Sequence, residues 1–231
     1  MSGEGFPPGR VVVLSPHLDD AVFSLGAAIA SATVRGSAVT VLTVFAGDPD
    51  SEQPAGYWDA RAGFRTAGEA ARARRREDAH AVRLLGGSAE WLAFGDSQYR
   101  TPGDDARARE AVAERLRDAP VVLVPGFPLE HPDHAALARL LLAEPLPTRR
   151  IGLYVEQPYG MWSEASPRPP AGARGSWVSL RAGPVARARK VLACKAYRSQ
   201  LPLLGPRLTL NLIRHELTRG ECIAWLEGGS G

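Results

Sequence analysis

Val11-Val12-Val13-Leu14-Ser15-Pro16-His17-Leu18-Asp19-Asp20 passes from an unbroken apolar run into a polar turn, and small and apolar residues follow from Ala21. Four apolar residues closed by a turn read as a strand buried on both faces, and the pattern after it as a helix lying against that strand. The same alternation recurs along the chain. Candidate strands lie at Val11–Leu14, Ala38–Phe45, Trp91–Phe94, Pro120–Val124 and Ile151–Val155. Candidate helices at Asp20–Arg35, Gly63–Leu85, Asp105–Asp118 and Pro132–Leu142 carry apolar residues at three- and four-residue intervals. This order predicts an α/β fold, a Rossmann-like domain with a mostly parallel sheet flanked by helices. Its right-handed crossovers put the active site at the C-terminal ends of the strands.

A chain of 231 residues with 45% hydrophobic content can bury one substantial core, so residues 1–231 are expected to form a single domain. The stretch 156–178 departs from the pattern: it holds Pro158, Pro167, Pro169 and Pro170 together with Tyr159, Trp162 and Trp177. So long a loop in a compact domain is expected to be a lid or substrate loop. A final helix is expected at Pro184–Ser199, and a last strand near Glu221–Leu226 covering a sheet edge.

The formal net charge is +3, carried almost entirely by arginine, with Lys190 and Lys195 the only lysines. Acidic residues are interspersed with the basic ones, so no stripe for nucleic acid forms, and the dense run Arg72, Arg74, Arg75, Arg76 reads as a solvated helix face. The apolar run at Val11 is too short for a signal sequence or a membrane span, which makes a cytoplasmic location the expectation. Cys194 and Cys222 show no spacing of a disulfide framework or a thiolate metal site.

Two clusters carry the chemistry, each at a strand-to-helix junction. The first is His17, Asp19 and Asp20. The second is Glu130-His131-Pro132-Asp133-His134, with two of the five histidines. Two imidazoles and one carboxylate brought from separate strand ends make the three-ligand open site of a catalytic zinc, and His17, Asp20 and His134 are the candidates. Asp19, beside the ligands but free of the ion, suits a general base that takes a proton from water. His131 is placed to donate to the oxyanion of an attacked amide. Asp133 either orients a ligating imidazole or is an acidic residue favoured at a helix N-terminus.

These motifs resemble the PIG-L/LmbE-type family of zinc-dependent de-N-acetylases. His17-Leu18-Asp19-Asp20 is similar to its His-Pro-Asp-Asp signature, with Leu18 in place of proline, and His131-Pro132-Asp133-His134 matches its His-x-x-His. Weaker agreement extends through Arg74–Glu77 and the Ser199-Gln200 pair, so the likeness spans Val11 to Gln200. The resemblance implies one Zn2+ per chain on His17, Asp20 and His134, Asp19 as base, and His131 stabilising the transition state. It also implies removal of an N-acetyl or other N-acyl group from an amino sugar conjugate, such as an N-acetylglucosaminyl compound. Iron(II) and other divalent metals suit the same ligands.

Further candidates carry two readings each. Arg74 contacts substrate or lies on the solvated face; Asp48 binds a sugar hydroxyl or caps a turn. Tyr159, Trp162 and Trp177 line an aglycone pocket or pack together. His80 and His215 read as structural or exposed. Two rival functions remain: a metal-dependent esterase or phosphoesterase on the same ligands, and a non-catalytic nucleotide-binding module. The latter needs a glycine-rich phosphate loop, and Ser15–Ala21 contains no glycine.

Overall fold

A computed structural model of the protein describes residues 5–163 and 177–226. Its elements run β1 (Arg10–Ser15), α1 (Asp20–Val34), β2 (Ala38–Thr43), α2 (Tyr57–Arg61), α3 (Ala67–Leu84), β3 (Ser88–Trp91), α4 (Asp104–Leu116) and β4 (Val121–Phe127). There follow α5 (Pro132–Leu142), β5 (Arg150–Val155), α6 (Tyr159–Trp162), β6 (Trp177–Leu180), α7 (Pro184–Cys194), α8 (Leu201–Leu204), α9 (Leu208–Thr218) and β7 (Glu221–Trp225). The strands form one seven-stranded sheet in the order β3-β2-β1-β4-β5-β7-β6. The first five are parallel; β7 runs antiparallel to both β5 and β6.

Burial follows the two-residue period of a strand covered on both faces. Val11 and Val13 of β1 pack with residues of α1, α3 and α7, whereas Val12 and Leu14 pack with residues of α4 and α5. Helix α1 is apolar nearly all round because α7 covers the side turned away from the sheet. A Cβ on Gly26 would sit 2.9 Å from Lys190 Cγ, so the missing side chain lets the lysine stem of α7 cross α1 closely.

That crossing carries a buried charge cluster. Lys190 Nζ donates to Glu216 of α9 at 3.0 Å and to Glu221 of β7 at 2.6 Å. Glu221 in turn accepts the backbone N–H groups of Ala27 and Ala28 in α1, at 2.9 and 2.7 Å. Burial works to lower the Lys190 pKa, but Glu221 and Glu216 outweigh it and hold the ammonium above its ordinary range.

Several sequence expectations shift. The third strand is Ser88–Trp91 rather than Trp91–Phe94: β3 is an edge strand with a half-exposed, polar composition, which apolarity alone does not mark. The helix expected from Gly63 begins at Ala67, where Thr66 caps it by accepting the Glu69 N–H at 3.1 Å. The helix from Pro184 ends at Cys194 instead of Ser199, and the chain turns so that Tyr197 enters the core. The last strand does not cover an edge; it lies between β5 and β6, and β6 takes the edge. Of the expected loop 156–178, residues 159–162 form α6 and 177–178 begin β6, while 164–176 lie outside the described residues. Cys194 and Cys222 are free thiols. Among the described residues no helix is long and apolar enough to cross a membrane.

Candidate metal centre and cavity

The sheet order reverses between β1 and β4, and such a switch point opens a crevice at the strands' carboxyl ends. Both motifs meet there. The turn after β1 is fixed locally: Ser15 Oγ donates to the His17 carbonyl at 2.7 Å and accepts the Ala21 N–H at 3.0 Å. Asp20 Oδ2 accepts the His17 N–H at 2.9 Å. Leu18 is buried at the cavity wall, and His17, Asp19 and Asp20 also face the crevice.

His17 Nδ1 lies 3.2 Å from Asp20 Oδ2, His134 Nε2 lies 3.1 Å from the same oxygen, and the two nitrogens are 3.1 Å apart. A tetrahedral ion with bonds of about 2.0–2.1 Å separates its donors by about 3.3–3.4 Å, so the triangle has the size such a cation requires. A wider set of one ligand atom each from His17, His131 and His134 falls within 4.8 Å. The tighter triangle, with its mixed nitrogen and oxygen donors, is the better match to a catalytic site. Without a cation, burial works to keep the imidazoles neutral. The carboxylates outweigh it, Asp133 and Asp20 raising His17 to about 10 and Asp20 with Glu156 raising His134 to about 9.

Each imidazole is held from behind by a buried carboxylate. Asp133 Oδ2 lies 3.0 Å from His17 Nε2 and accepts the Ser97 N–H at 3.0 Å, while Asp133 Oδ1 accepts from Arg100 at 2.6 Å. Burial would raise the Asp133 pKa, but His17, Ser97 and Arg100 together hold it below the ordinary carboxylate range. Glu156 Oε1 lies 2.6 Å from His134 Nδ1 and its other oxygen accepts the Leu129 N–H at 3.2 Å. Burial outweighs His134 and the Leu129 hydrogen bond and leaves the Glu156 pKa raised. The backs of both rings therefore face acceptors, which directs a lone pair of each ring to the triangle.

Asp19 lines the adjoining cavity of about 500 Å³, and burial followed by the charge of Asp20 pushes its pKa well up. His131 is the N-cap of α5, its Nδ1 accepting the Asp133 N–H at 3.2 Å, which leaves Nε2 as the protonated nitrogen. Burial, then the neighbouring imidazoles, lower its pKa to about 4, so the ring is a neutral donor.

The arginine run is not the solvated face expected. Arg74 lines the cavity, paired to the buried Asp59 at 2.5 Å; Arg75 binds backbone carbonyls of Ala46, Gly47 and Leu92; only Arg72 and Arg76 are exposed. These residues turn inward because α3 packs over the loop after β2 and finds bare carbonyls there. Asp48 lines the cavity and also caps its turn, accepting the Asp50 N–H at 2.9 Å. Tyr159 lines the cavity with its ring 5.2 Å from that of His134; Trp162 meets Tyr159 edge-to-face at 5.9 Å and is half exposed. Trp177 packs against Phe127 instead. His80 is exposed and receives an Arg83 N–H, and His215 is partly buried on α9.

Residues not anticipated complete the walls. Asp59 accepts from Tyr99 at 2.6 Å, Trp58 Nε1 donates to Gln200 at 2.9 Å, and the Trp58 N–H donates to Gln98 at 2.8 Å. Glu156 had a usable signal, since it directly follows β5. Arg100 had none, because Asp133, the site residue it meets, is distant in the chain, while its nearby partner Asp105, at 3.8 Å, lies outside the site.

Residues 12–143 match the PIG-L family, described as GlcNAc-PI de-N-acetylase. A 2'-N-acetylparomamine deacetylase of Streptomyces fradiae is 35% identical over 143 residues, 54% of this chain and 48% of that protein, so the match spans about half of that relative. The A40926 pseudoaglycone deacetylase Dbv21 superposes with a TM-score of 0.79 at 32% identity, covering 94% of this chain and 96% of its own. The zinc-inhibited form of teicoplanin deacetylase Orf2 superposes with a TM-score of 0.76 at 25% identity, over 96% and 99%.

Proposed function

The chain belongs to the PIG-L family, and from that premise we propose that it is a metal-dependent N-deacetylase of an N-acetylated amino sugar compound, its residues 1–231 forming one catalytic domain. The observation that carries this reading is the triangle of His17 Nδ1, Asp20 Oδ2 and His134 Nε2, with a non-ligating carboxylate, Asp19, at the cavity beside it. The substrate class is drawn from the relatives, two of which are named for acting on 2'-N-acetylparomamine and on the A40926 pseudoaglycone. The cavity of about 500 Å³ exceeds what an acetamido group fills and has space for its sugar ring.

A divalent cation bound to the triangle, zinc by donor type, supplies the positive charge that acidifies a water and polarises the acetamido carbonyl. Asp133 and Glu156 keep His17 and His134 in the tautomers that ligate. Asp19 accepts the proton of the attacking water on its carboxylate and then returns it to the leaving nitrogen, which departs as the neutral amine beside acetic acid, whose proton passes to solvent as acetate leaves. A buried carboxyl with a raised pKa suits both halves of that transfer. His131 donates Nε2–H to the oxyanion as the carbonyl carbon becomes tetrahedral. Arg74, steadied by Asp59, is assigned to a substrate contact, with Asp48 and Tyr159 on the cavity wall and Trp162 edge-to-face with Tyr159.

The test is acetate release from N-acetylglucosaminyl and N-acetylparomamine-type compounds by chelator-stripped protein reloaded with one equivalent of zinc. Asp19→Asn is expected to lower the rate by about 10²–10⁴-fold with the metal still bound. Undiminished turnover in that variant would remove the base. Cleavage of acetate esters but of no acetamide would replace the deacetylase reading with an esterase.

A further inference from the structure

Arg100 stands behind the cavity wall: its neighbours Tyr99 and Thr101 line the space, and among the described residues Arg100 does not. Its guanidinium lies over the Phe45 ring at 4.4 Å and donates to Asp133 Oδ1 at 2.6 Å. The other oxygen, Oδ2, is shared by the Ser97 N–H and His17 Nε2, each at 3.0 Å. The carboxylate is fully buried, so no water replaces a lost partner. Held by Oδ2 alone, the group can pivot about its Cβ–Cγ bond; held at both oxygens, it offers His17 a fixed lone pair. His17 hangs from that lone pair with Nδ1 directed at Asp20 and His134.

We infer that Arg100 is a positioning residue of the metal centre, acting through Asp133 to fix the plane of the His17 ring and keep Nδ1 on the point shared with Asp20 and His134. The inference rests on the metal-centre reading above. Arginine suits the place because a planar guanidinium can lie flat on Phe45 while directing one N–H at Oδ1; a lysine ammonium supplies the charge without the plane. The link is a second layer of support: Arg100 touches neither the cation nor the substrate.

The experiment compares wild type, Arg100→Met and Arg100→Lys, each stripped with chelator and titrated with zinc against a chromophoric competitor, and with cobalt(II) followed by its visible absorption. Arg100→Met is expected to bind either ion about 10–100-fold more weakly, with a changed cobalt spectrum. Arg100→Lys is expected to recover part of the affinity. At saturating metal, kcat falls in Arg100→Met while KM stays near the wild-type value. Metal affinity and cobalt spectrum unchanged in both variants, with only thermal stability reduced, would make Arg100 a structural residue and overturn the inference alone. Failure of the wild-type protein to bind either ion would overturn the metal-centre reading itself. Should Arg100→Met fail to fold, Arg100→Lys decides: weakened affinity or an altered cobalt spectrum supports the directional role, and wild-type values in both readouts refute it.

Discussion

The carboxylates at the ends of β1, β4 and β5 and those between α1, α7, α9 and β7 are both buried, yet they are completed in different ways. Around Lys190 the set nearly closes on itself: Glu216 and Glu221 share one ammonium, the Ala27 and Ala28 amides take up Glu221, and the other Glu216 oxygen faces Arg187 Nε at 3.8 Å. Around His17 the set stays open. Asp19, Asp20, Asp133 and Glu156 outnumber the arginines that meet them, and the free lone pairs of His17, Asp20 and His134 converge on one point beside a cavity. Burial of charge alone therefore does not distinguish a site from a strut. What separates them is whether the donors and acceptors exhaust one another, since an unexhausted group retains capacity for a ligand.

The comparison breaks most visibly at His134. Removing one corner of the triangle by His134→Ala is expected to abolish retention of zinc on gel filtration and to lower acetate release by about a thousandfold, the value of several kcal/mol of Lewis-acid stabilisation. In the closed set the same kind of change is read as stability. Lys190→Met strands two buried carboxylates and is expected to cost about 3–5 kcal/mol in urea unfolding, while kcat of the folded fraction stays at the wild-type value. Wild-type stability in that variant would mean the cluster is not closed.

Asp78 sharpens the contrast from a third position, where a buried carboxylate meets only neutral donors, Tyr197 Oη–H at 2.7 Å and Trp91 Nε1–H at 2.7 Å. Burial, which those hydrogen bonds only partly offset, pushes its pKa up from 3.8 to about 6. The folded state thus holds the proton more tightly than the unfolded chain, and stability falls as pH rises from about 4 to about 6, by roughly 1–3 kcal/mol from this group. Asp78→Asn is expected to remove that slope in thermal unfolding across the window. A slope identical to wild type would assign it to other groups.

Strands β1, β2, β4 and β5 and both histidine motifs were legible in the sequence because each depends on local pattern: apolar runs for the strands, and polar residues immediately after β1 and β4; the polar edge strand β3 was misplaced. The supports behind the imidazoles were not. Asp133 was visible beside its motif, but Glu156 pairs with His134 from the next strand and Arg100 reaches Asp133 across 33 positions, so tertiary packing alone selects them. Helix α9 escaped because Leu208-Thr209-Leu210-Asn211-Leu212 alternates like a strand. Its helical face appears only in the burial of Leu208, Leu212 and Glu216, four residues apart. Arg75 was misread as part of a solvated face because composition records charge and not the carbonyls that wait for it.

The amides of Ala27 and Ala28 reach their acceptor nearly two hundred positions later, on β7. The family-matched block 12–143 therefore ends before the carboxylate that completes its own first helix has been made. Excised as a minimal catalyst, that block would carry both histidine motifs but lack Glu156, Lys190 and Glu221, and it is expected to emerge from the ribosome unable to close its core. Shortening this chain for engineering has to proceed from its loops, because β7 is interlocked with α1.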